Sequence, residues 1–218
     1  MEDKKLTPTE SMDLIASMIS NTKRHLTKGE GNMLLFWGYL CVAVATLSFV
    51  AGYLKYGADI DIPLSFERWV WWLIPVIGIP YTMFNMKRAK DKRTVLTYSD
   101  RLSISLWSYV LWLAFCAIVI GLVFFISGFN VWYIMELFAF FVVGMAASVQ
   151  GMIIRERSLV FGGAFSVVCG GFLVASIISG NYQFAMYSAP LFIVDFIVMM
   201  VIPGHILNYK ASKKDERA

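Results

Sequence analysis

Six long apolar stretches, separated by short polar gaps, make up most of this chain. Each is close to the roughly 17 to 25 mostly apolar residues that an α-helix needs to cross a bilayer. Helices are expected rather than strands, because the stretches lack the alternation of a membrane β-barrel and an open strand edge would leave backbone groups unpaired in lipid. The sequence therefore predicts an all-α fold, a bundle of six transmembrane helices. The predicted helices are Met33–Leu54, Trp69–Met86, Leu102–Ser127, Val131–Ile154, Ser158–Ser179 and Phe184–Leu207.

The composition argues against a soluble domain. Of the 218 residues, 58% are apolar and only 16% are charged, and the mean hydropathy is +0.65. In soluble domains, about a quarter of the residues are charged. A soluble fold of this size could not cover so much apolar surface, so we expect membrane lipids to surround most of the chain.

The basic residues indicate how the chain is oriented. Of 19 Lys and Arg residues, 17 lie in segments that six crossings would place on one side, and only Lys55 and Arg68 fall on the other. Because basic residues beside membrane segments are retained in the cytoplasm, both termini are predicted to be cytoplasmic. No apolar run precedes Met33, so we expect the first transmembrane helix, rather than a signal peptide, to direct insertion.

Residues 1–31 are predicted to form a separate cytoplasmic segment that contains an amphipathic helix. Thr7 is suited to cap it, Pro8 to take its first position, and Gly29 to end it. Either the helix lies along the inner leaflet, or residues 8–28 dock a partner protein or a second copy of the chain. Residues 32–209 then form the transmembrane domain, and residues 210–218 form a basic cytoplasmic tail. The apolar residues at helical spacing are Met12, Ile15, Met18, Ile19 and Leu26.

The six stretches can also be paired as three helical hairpins, each ending at basic residues on the inner side. In every odd-numbered stretch, a cysteine follows an aromatic residue by four positions. An ancestral triplication would explain this pattern, and so would the general composition of membrane helices, so both explanations stay open. We expect the cysteines to be small buried residues rather than a disulfide or a metal site. They are Cys41, Cys116 and Cys169.

Small residues indicate that the fifth helix packs closely against its neighbours. It carries two stripes at four-residue spacing, Gly162-Ser166-Gly170 and Gly171-Ala175-Ser179. Such stripes let helix backbones approach closely, so we expect this helix to lie at the centre of the bundle or to form a homo-oligomer. In the second helix, Pro75 and Pro80 predict a kink.

Asp195 falls near the middle of the sixth helix. A charged carboxylate there costs about 2.5 to 3.5 kcal/mol, so this side chain must be protonated, paired or hydrated. It is either a proton or ion site, or a carboxyl that bonds a neighbouring helix. In the first case we expect His205, ten residues further on, at the inner mouth, with Gln150 and Asn85 as polar lining. Glu136, near the start of the fourth helix, is a further candidate for the site or an interfacial acid that reaches outer water.

The chain carries no motif of an enzyme active site. Its only histidines are His25 and His205, and it lacks a phosphate-binding loop and a Gly-x-Ser-x-Gly elbow. We therefore expect no catalytic residue, no cofactor and no metal. Nucleic-acid binding is not expected either, because anionic lipids would neutralise basic residues in short gaps beside the membrane.

Between residues 10 and 39 the chain resembles a family of uncharacterised polytopic inner-membrane proteins from Bacteroides-group bacteria. The resemblance implies a bacterial inner-membrane protein and brings no activity, catalytic residue or cofactor with it. By analogy, the basic cytoplasmic face of such proteins would suit a soluble regulator as a partner. The residues that carry the resemblance are Glu10-Ser11, Ile15, Met18-Ile19, Thr22-Lys23, Gly31-Asn32, Leu35, Gly38 and Tyr39.

The abundant packing motifs beside sparse polar chemistry predict a binding, sensing or scaffolding component rather than an enzyme. The alternative is a small proton-coupled transporter or channel that uses Asp195 and His205. An intramembrane enzyme that acts on lipid is a third alternative.

Overall fold

The structure, a computed structural model, describes residues 29, 31–58, 60, 63, 66, 69–92, 97–126, 132–180 and 187–215. The regular elements of these residues are helices, so the predicted all-α class is confirmed. Two of the helices contain a π-helical segment. The helices are α1 (Asn32–Gly57), α2 (Leu73–Lys92), α3 (Tyr98–Ile126), α4 (Trp132–Leu137, π-helical Phe138–Val143, then Gly144–Ile154), α5 (Arg157–Ile178) and α6 (Ser188–Phe196, π-helical Ile197–Val201, then Ile202–Asp215).

Within the described residues, five helices are long and apolar enough to cross a membrane: α1, α3, α4, α5 and α6. The second helix is not among them. Trp71 and Trp72 form a turn, so α2 begins only at Leu73 and continues past the apolar stretch as far as Lys92. The amphipathic helix predicted at residues 8–28 lies outside the described residues.

Helix α5 lies at the centre of the packing. It packs most extensively against α4, and its other large contact is with α6. Helix α1 packs along α6, while α3 lies against α4 and α2 against α1. The two most extensive pairs, α4 with α5 and α1 with α6, therefore join helices from different predicted hairpins.

The first stripe of small residues on α5 permits these close contacts. A Cβ added to Gly162 would lie 2.7 Å from both the Met199 Cα and the Val198 carbonyl oxygen of α6. A Cβ on the next residue, Gly163, would meet the Gly144 carbonyl of α4. The α5 backbone therefore touches α6 on one side and α4 on the other, as the central position predicted for this helix requires.

The second stripe on α5 faces away from the bundle. Gly171, Ala175 and Ser179 are exposed, and nothing lies within 4 Å of a Cβ added to Gly171. Large apolar side chains share this outer surface of α5, with Phe161 and Ile178 each 80% exposed. Such a surface suits lipid or another helix better than water.

The two prolines of α2 differ in position. Pro80 lies inside the helix. Pro75 lies in its first turn, where a missing N–H costs no helix bond. The kink at these residues stays a prediction.

Candidate functional site

Asp195 lies in the interior of the bundle. It is 0% exposed and follows the start of α6 at Ser188 by seven residues, about 10 Å at 1.5 Å per residue. Phe192, Phe196 and Met199 of the same helix are buried in the core cluster of the bundle. The carboxyl is therefore enclosed by apolar side chains and has no contact with solvent.

The polar contacts of Asp195 form a short chain across three helices. The Ser166 hydroxyl of α5 lies 2.8 Å from Oδ2 of Asp195 and 3.0 Å from the Phe140 carbonyl oxygen of α4. Ser166 is itself 0% exposed. Asp195, Ser166 and the Phe140 carbonyl are called the buried hydrogen-bond chain below.

The number of hydrogens in this chain determines the state of Asp195. A serine hydroxyl has one hydrogen, and a backbone carbonyl can only accept. Ser166 lies within donating distance of both oxygens, but its single hydrogen serves one of them at a time. When it donates to Phe140, the contact with Asp195 needs a hydrogen on the carboxyl. An intramembrane acid can be protonated, paired with a basic side chain or hydrated. Asp195 is 0% exposed, and no described basic side chain pairs with it. A protonated carboxyl that donates to Ser166 while Ser166 donates to Phe140 satisfies both contacts.

Both π-helical segments adjoin the buried hydrogen-bond chain. Phe140 belongs to the segment Phe138–Val143 of α4, and Asp195 lies two residues before the segment Ile197–Val201 of α6. A π turn widens the backbone bonding from i→i−4 to i→i−5 and occurs mostly as a single turn at functional sites. Sequence reasoning had no signal for these segments.

His205 is not brought to Asp195. It is exposed, and its Nε2 lies 2.8 Å from the Tyr39 hydroxyl of α1. The ring therefore occupies the seam between α1 and α6 rather than the interior.

The two amides proposed as polar lining also lie apart from Asp195. The Gln150 Nε2 donates to the Ser103 hydroxyl at 3.1 Å and so links α4 to α3 in a buried position. Asn85 donates to the Tyr81 carbonyl of its own helix at 2.9 Å. These amides make helix contacts at other places in the fold.

Glu136 is turned inward more than an interfacial acid would be. Its Oε2 is buried without a hydrogen-bond partner among the described residues. The side chain of Ser188, at the start of α6, hydrogen-bonds the Glu136 carboxyl. Glu136 therefore joins α4 to α6 at the end of the bundle where both helices begin.

The opposite end of the bundle is held by three further polar contacts. The Asn208 Oδ1 of α6 accepts from the Gly31 backbone N–H at 3.0 Å, and its Nδ2 donates to Asn32 at 2.7 Å. At the same end, Lys210 pairs with Glu156 at 2.7 Å. These contacts fasten α6 to the start of α1 and to the turn between α4 and α5.

The cysteines are free thiols on different helices, with Cys41 and Cys169 buried and Cys116 partly exposed. Throughout the described part of the chain, no three His, Cys, Asp or Glu side chains gather in a way that could hold a metal ion.

Sequence reasoning singled out Asp195 and Ser166 separately, one as an acid and the other as a packing residue. Their contact joins positions 29 residues apart, and nothing in the local pattern connects them. The one available signal was that a midplane acid without a basic partner needs a hydroxyl on a neighbouring helix.

Comparison of the chain with protein-family models, with curated proteins and with solved structures finds no match.

Proposed function

We propose that this protein is a six-helix component of the bacterial inner membrane that binds, senses or scaffolds and catalyses no reaction. The observation that carries this proposal is the enclosure of Asp195. A transport site has to be reached by water or an ion from at least one side. In this proposal the Asp195 carboxyl instead donates a hydrogen bond to a neighbouring helix, as a packing residue does.

The topology in this proposal has both termini in the cytoplasm. Its support is the apolar stretch Trp69–Met86 between two polar gaps, and the 17 basic residues that six crossings collect on one side. The resemblance to inner-membrane proteins of Bacteroides-group bacteria supports the choice of membrane.

Two surfaces are proposed for partners. One is the cytoplasmic segment at residues 8–28, with its apolar positions at helical spacing. The other is the stripe Gly171, Ala175 and Ser179 on α5, which is exposed and small enough for close approach by a second copy. Lipid covers whatever part of this surface a partner does not.

Reconstitution into liposomes that contain a pH-sensitive dye tests the proposal. We expect no proton flux above that of protein-free liposomes under proton, sodium or potassium gradients. In native membranes, a photo-crosslinker at Phe172, on the exposed face of α5, is expected to capture a second copy or another protein. A gradient-driven flux, or a chain with no protein neighbour at all, would contradict the proposal.

A proton-coupled transporter is the second candidate. Oδ1 of Asp195 and Oε2 of Glu136 are both buried without a hydrogen-bond partner among the described residues. Intramembrane acids with spare acceptor atoms occur along proton and ion pathways. In the liposome experiment, a flux that Asp195→Asn abolishes would favour this candidate.

A further inference from the structure

Asp195, in the interior of the bundle, and Glu136, at the end where α4 and α6 begin, have one feature in common. Asp195 of α6 and Glu136 of α4 each bury one carboxyl oxygen without a hydrogen-bond partner among the described residues. More than nine in ten buried polar groups are hydrogen-bonded, so such exceptions require a physical reason. A polar atom that takes part in a second, transient contact is one such reason.

The two acids are separated by about two helical turns of α6, because the Glu136 carboxyl hydrogen-bonds Ser188, which precedes Asp195 by seven residues, about 10 Å. Glu136 precedes Phe140 by four residues, so both lie on one face of α4, about 6 Å apart along the axis. The Phe140 carbonyl ends the buried hydrogen-bond chain that starts at Asp195. Glu136 is thus one helical turn beyond that chain, toward the end of the bundle where α4 and α6 begin. By the distribution of basic residues, this end is the outer side.

Two aromatic rings lie on the Glu136 side of the buried hydrogen-bond chain. Phe192 precedes Asp195 by three residues, on the same side as Glu136, and its ring contacts the Phe140 ring edge-on with centroids 5.8 Å apart. Phe192 also stacks on Phe196 at 4.4 Å. Because helical side chains tilt toward the start of their helix, both rings lie on the outer side of the chain. Phe140 and Phe192 are called the ring pair below.

We infer that Asp195 is a proton-binding site reached from Glu136, with the ring pair closing the path between the two carboxyls. When the rings part, water enters between the two carboxyls: the Glu136 carboxyl gives its proton to this water, the water passes a proton to an ionised Asp195, and Glu136 takes another proton from outer water. Only O–H bonds form and break, and release of the proton follows the same steps in reverse. The inference rests on the outer side that the proposed topology assigns and adds transient access from that side alone, so Asp195 binds and releases a proton without carrying it across the membrane.

Among the residues that the structure describes, few other ionisable groups lie near this route. Cys169 of α5 and Cys41 of α1 are the titratable side chains in the buried core cluster around Asp195. At the end of the bundle where α4 and α6 begin, Lys55 lies in the last turn of α1 and Tyr187 directly precedes α6. Helix α3 has no ionisable side chain between Ala117 and Ile126. His205 bonds Tyr39 and follows Asp195 by ten residues, toward the inner end of α6. It is therefore the control for a route from the inner side.

Hydrogen–deuterium exchange at the carboxyl tests this inference. The protein is reconstituted in nanodiscs, the buffer is changed to D2O, and the C=O band of the protonated Asp195 is followed by infrared spectroscopy. Asp195→Asn identifies the band by its loss. We expect Glu136→Gln to slow exchange at Asp195 on the order of a hundredfold, the scale of a positioned proton-transfer group. The matched control His205→Gln is expected to leave the rate unchanged.

The ring pair is tested by its truncation. Phe192→Leu is expected to speed exchange at Asp195, and Glu136→Gln in the same chain is expected to reverse the gain. Because Glu136→Gln alone is nearly isosteric, its rate remains informative if Phe192→Leu does not fold. Exchange that is unchanged by Glu136→Gln, or that His205→Gln slows, would overturn the inference. The absence of an Asp195 carboxyl band in the wild type would do so as well.

The exchange experiment tests the proton route and the liposome experiment tests the proposed function, so either proposal can be refuted without the other. Exchange at Asp195 that depends on Glu136, without steady flux in liposomes, describes a proton-binding site in a sensor or scaffold. Steady flux refutes the proposed function and leaves the route to be judged by the exchange rates.

Discussion

Lys210 and Glu156 form an ion pair that fastens the end of α6 to the turn between α4 and α5. The ammonium Nζ lies 2.7 Å from Oε2 and 3.0 Å from Oε1 of the carboxylate. Glu156 also caps α5, and its Oε1 accepts from the Ser158 hydroxyl at 3.0 Å. Burial alone would raise the pKa of Glu156, but the hydrogen bonds from Lys210 and Ser158, with the charge of Lys210, lower it below its ordinary value.

The lowered pKa predicts a pH-dependent contribution to stability. Because the pKa is lower in the folded state, the carboxylate stabilises the fold above the ordinary Glu value of about 4.3, and this stabilisation is lost as the pH falls through the folded pKa. We expect Glu156→Gln to cost about 1 kcal/mol at neutral pH, from the cap and the pair together. Thermal unfolding in detergent at a series of pH values measures the difference from wild type. That difference should shrink in acid.

Two lysines on α6 provide the matched comparison. Lys210→Met removes the ion pair, whereas Lys213→Met removes an exposed charge three residues further on. Only the first is expected to lower the unfolding temperature at neutral pH. Equal effects would mean that general charge, rather than the contact with Glu156, stabilises this end of the bundle.

The neutral state of Asp195 predicts which substitutions the core accepts. An asparagine can donate to Ser166 as the protonated carboxyl does, so Asp195→Asn is expected to change stability by less than about 1 kcal/mol. Ser166→Ala leaves the Phe140 carbonyl and the Asp195 carboxyl unpaired and should cost about 1 to 3 kcal/mol. Unfolding in detergent compares the two. A larger loss from Asp195→Asn than from Ser166→Ala would indicate an ionised aspartate.

The two glycine stripes of α5 predict opposite responses to one added methyl group. In Gly162→Ala the new Cβ would meet backbone atoms of α6 at 2.7 Å, so the helices must separate, at about 1 to 3 kcal/mol. Gly171→Ala meets nothing within 4 Å and should be neutral, or stabilising by up to about 1 kcal/mol through helix propensity. Unfolding of both variants in one detergent checks this. A destabilising Gly171→Ala would place a second copy on that stripe.

Most of the fold could be predicted because membrane helices are encoded locally. A run such as Ser158–Ser179 identifies its helix by length and apolarity alone, and α5 begins and ends within one residue of it. The spacing of Gly162, Ser166 and Gly170 predicted that α5 is central or forms a homo-oligomer, and the structure packs α5 against both α4 and α6. The second helix was harder, because Trp71 and Trp72 are apolar enough for a span but form a turn before Leu73.

The polar contacts could not be predicted to the same degree. Asp195 was identified by its cost in lipid, which is a property of one position. Its bond to Ser166 and the inward turn of Glu136 depend on how α4, α5 and α6 are rotated about their axes. A π-helical segment changes that rotation by about one residue, and the sequence carries no clear signal for it. Pairing Asp195 with His205 on one helix was therefore the simplest hypothesis, although the ring bonds Tyr39 instead.

The number of crossings predicts where labels attach on either side of α2. The apolar part of α2, Leu73–Met86, spans only about 21 Å at 1.5 Å per residue, less than the roughly 30 Å of hydrocarbon. With the preceding tryptophans at the headgroups and a locally thinner bilayer, it can still cross. In a background in which the native cysteines are alanines, Ile60→Cys and Tyr98→Cys place thiols at exposed positions before and after α2. We expect a membrane-impermeant maleimide to label Ile60→Cys from outside intact cells and Tyr98→Cys only after lysis. Labelling of both from the same side would mean that α2 lies in the plane of the membrane and that the chain crosses five times.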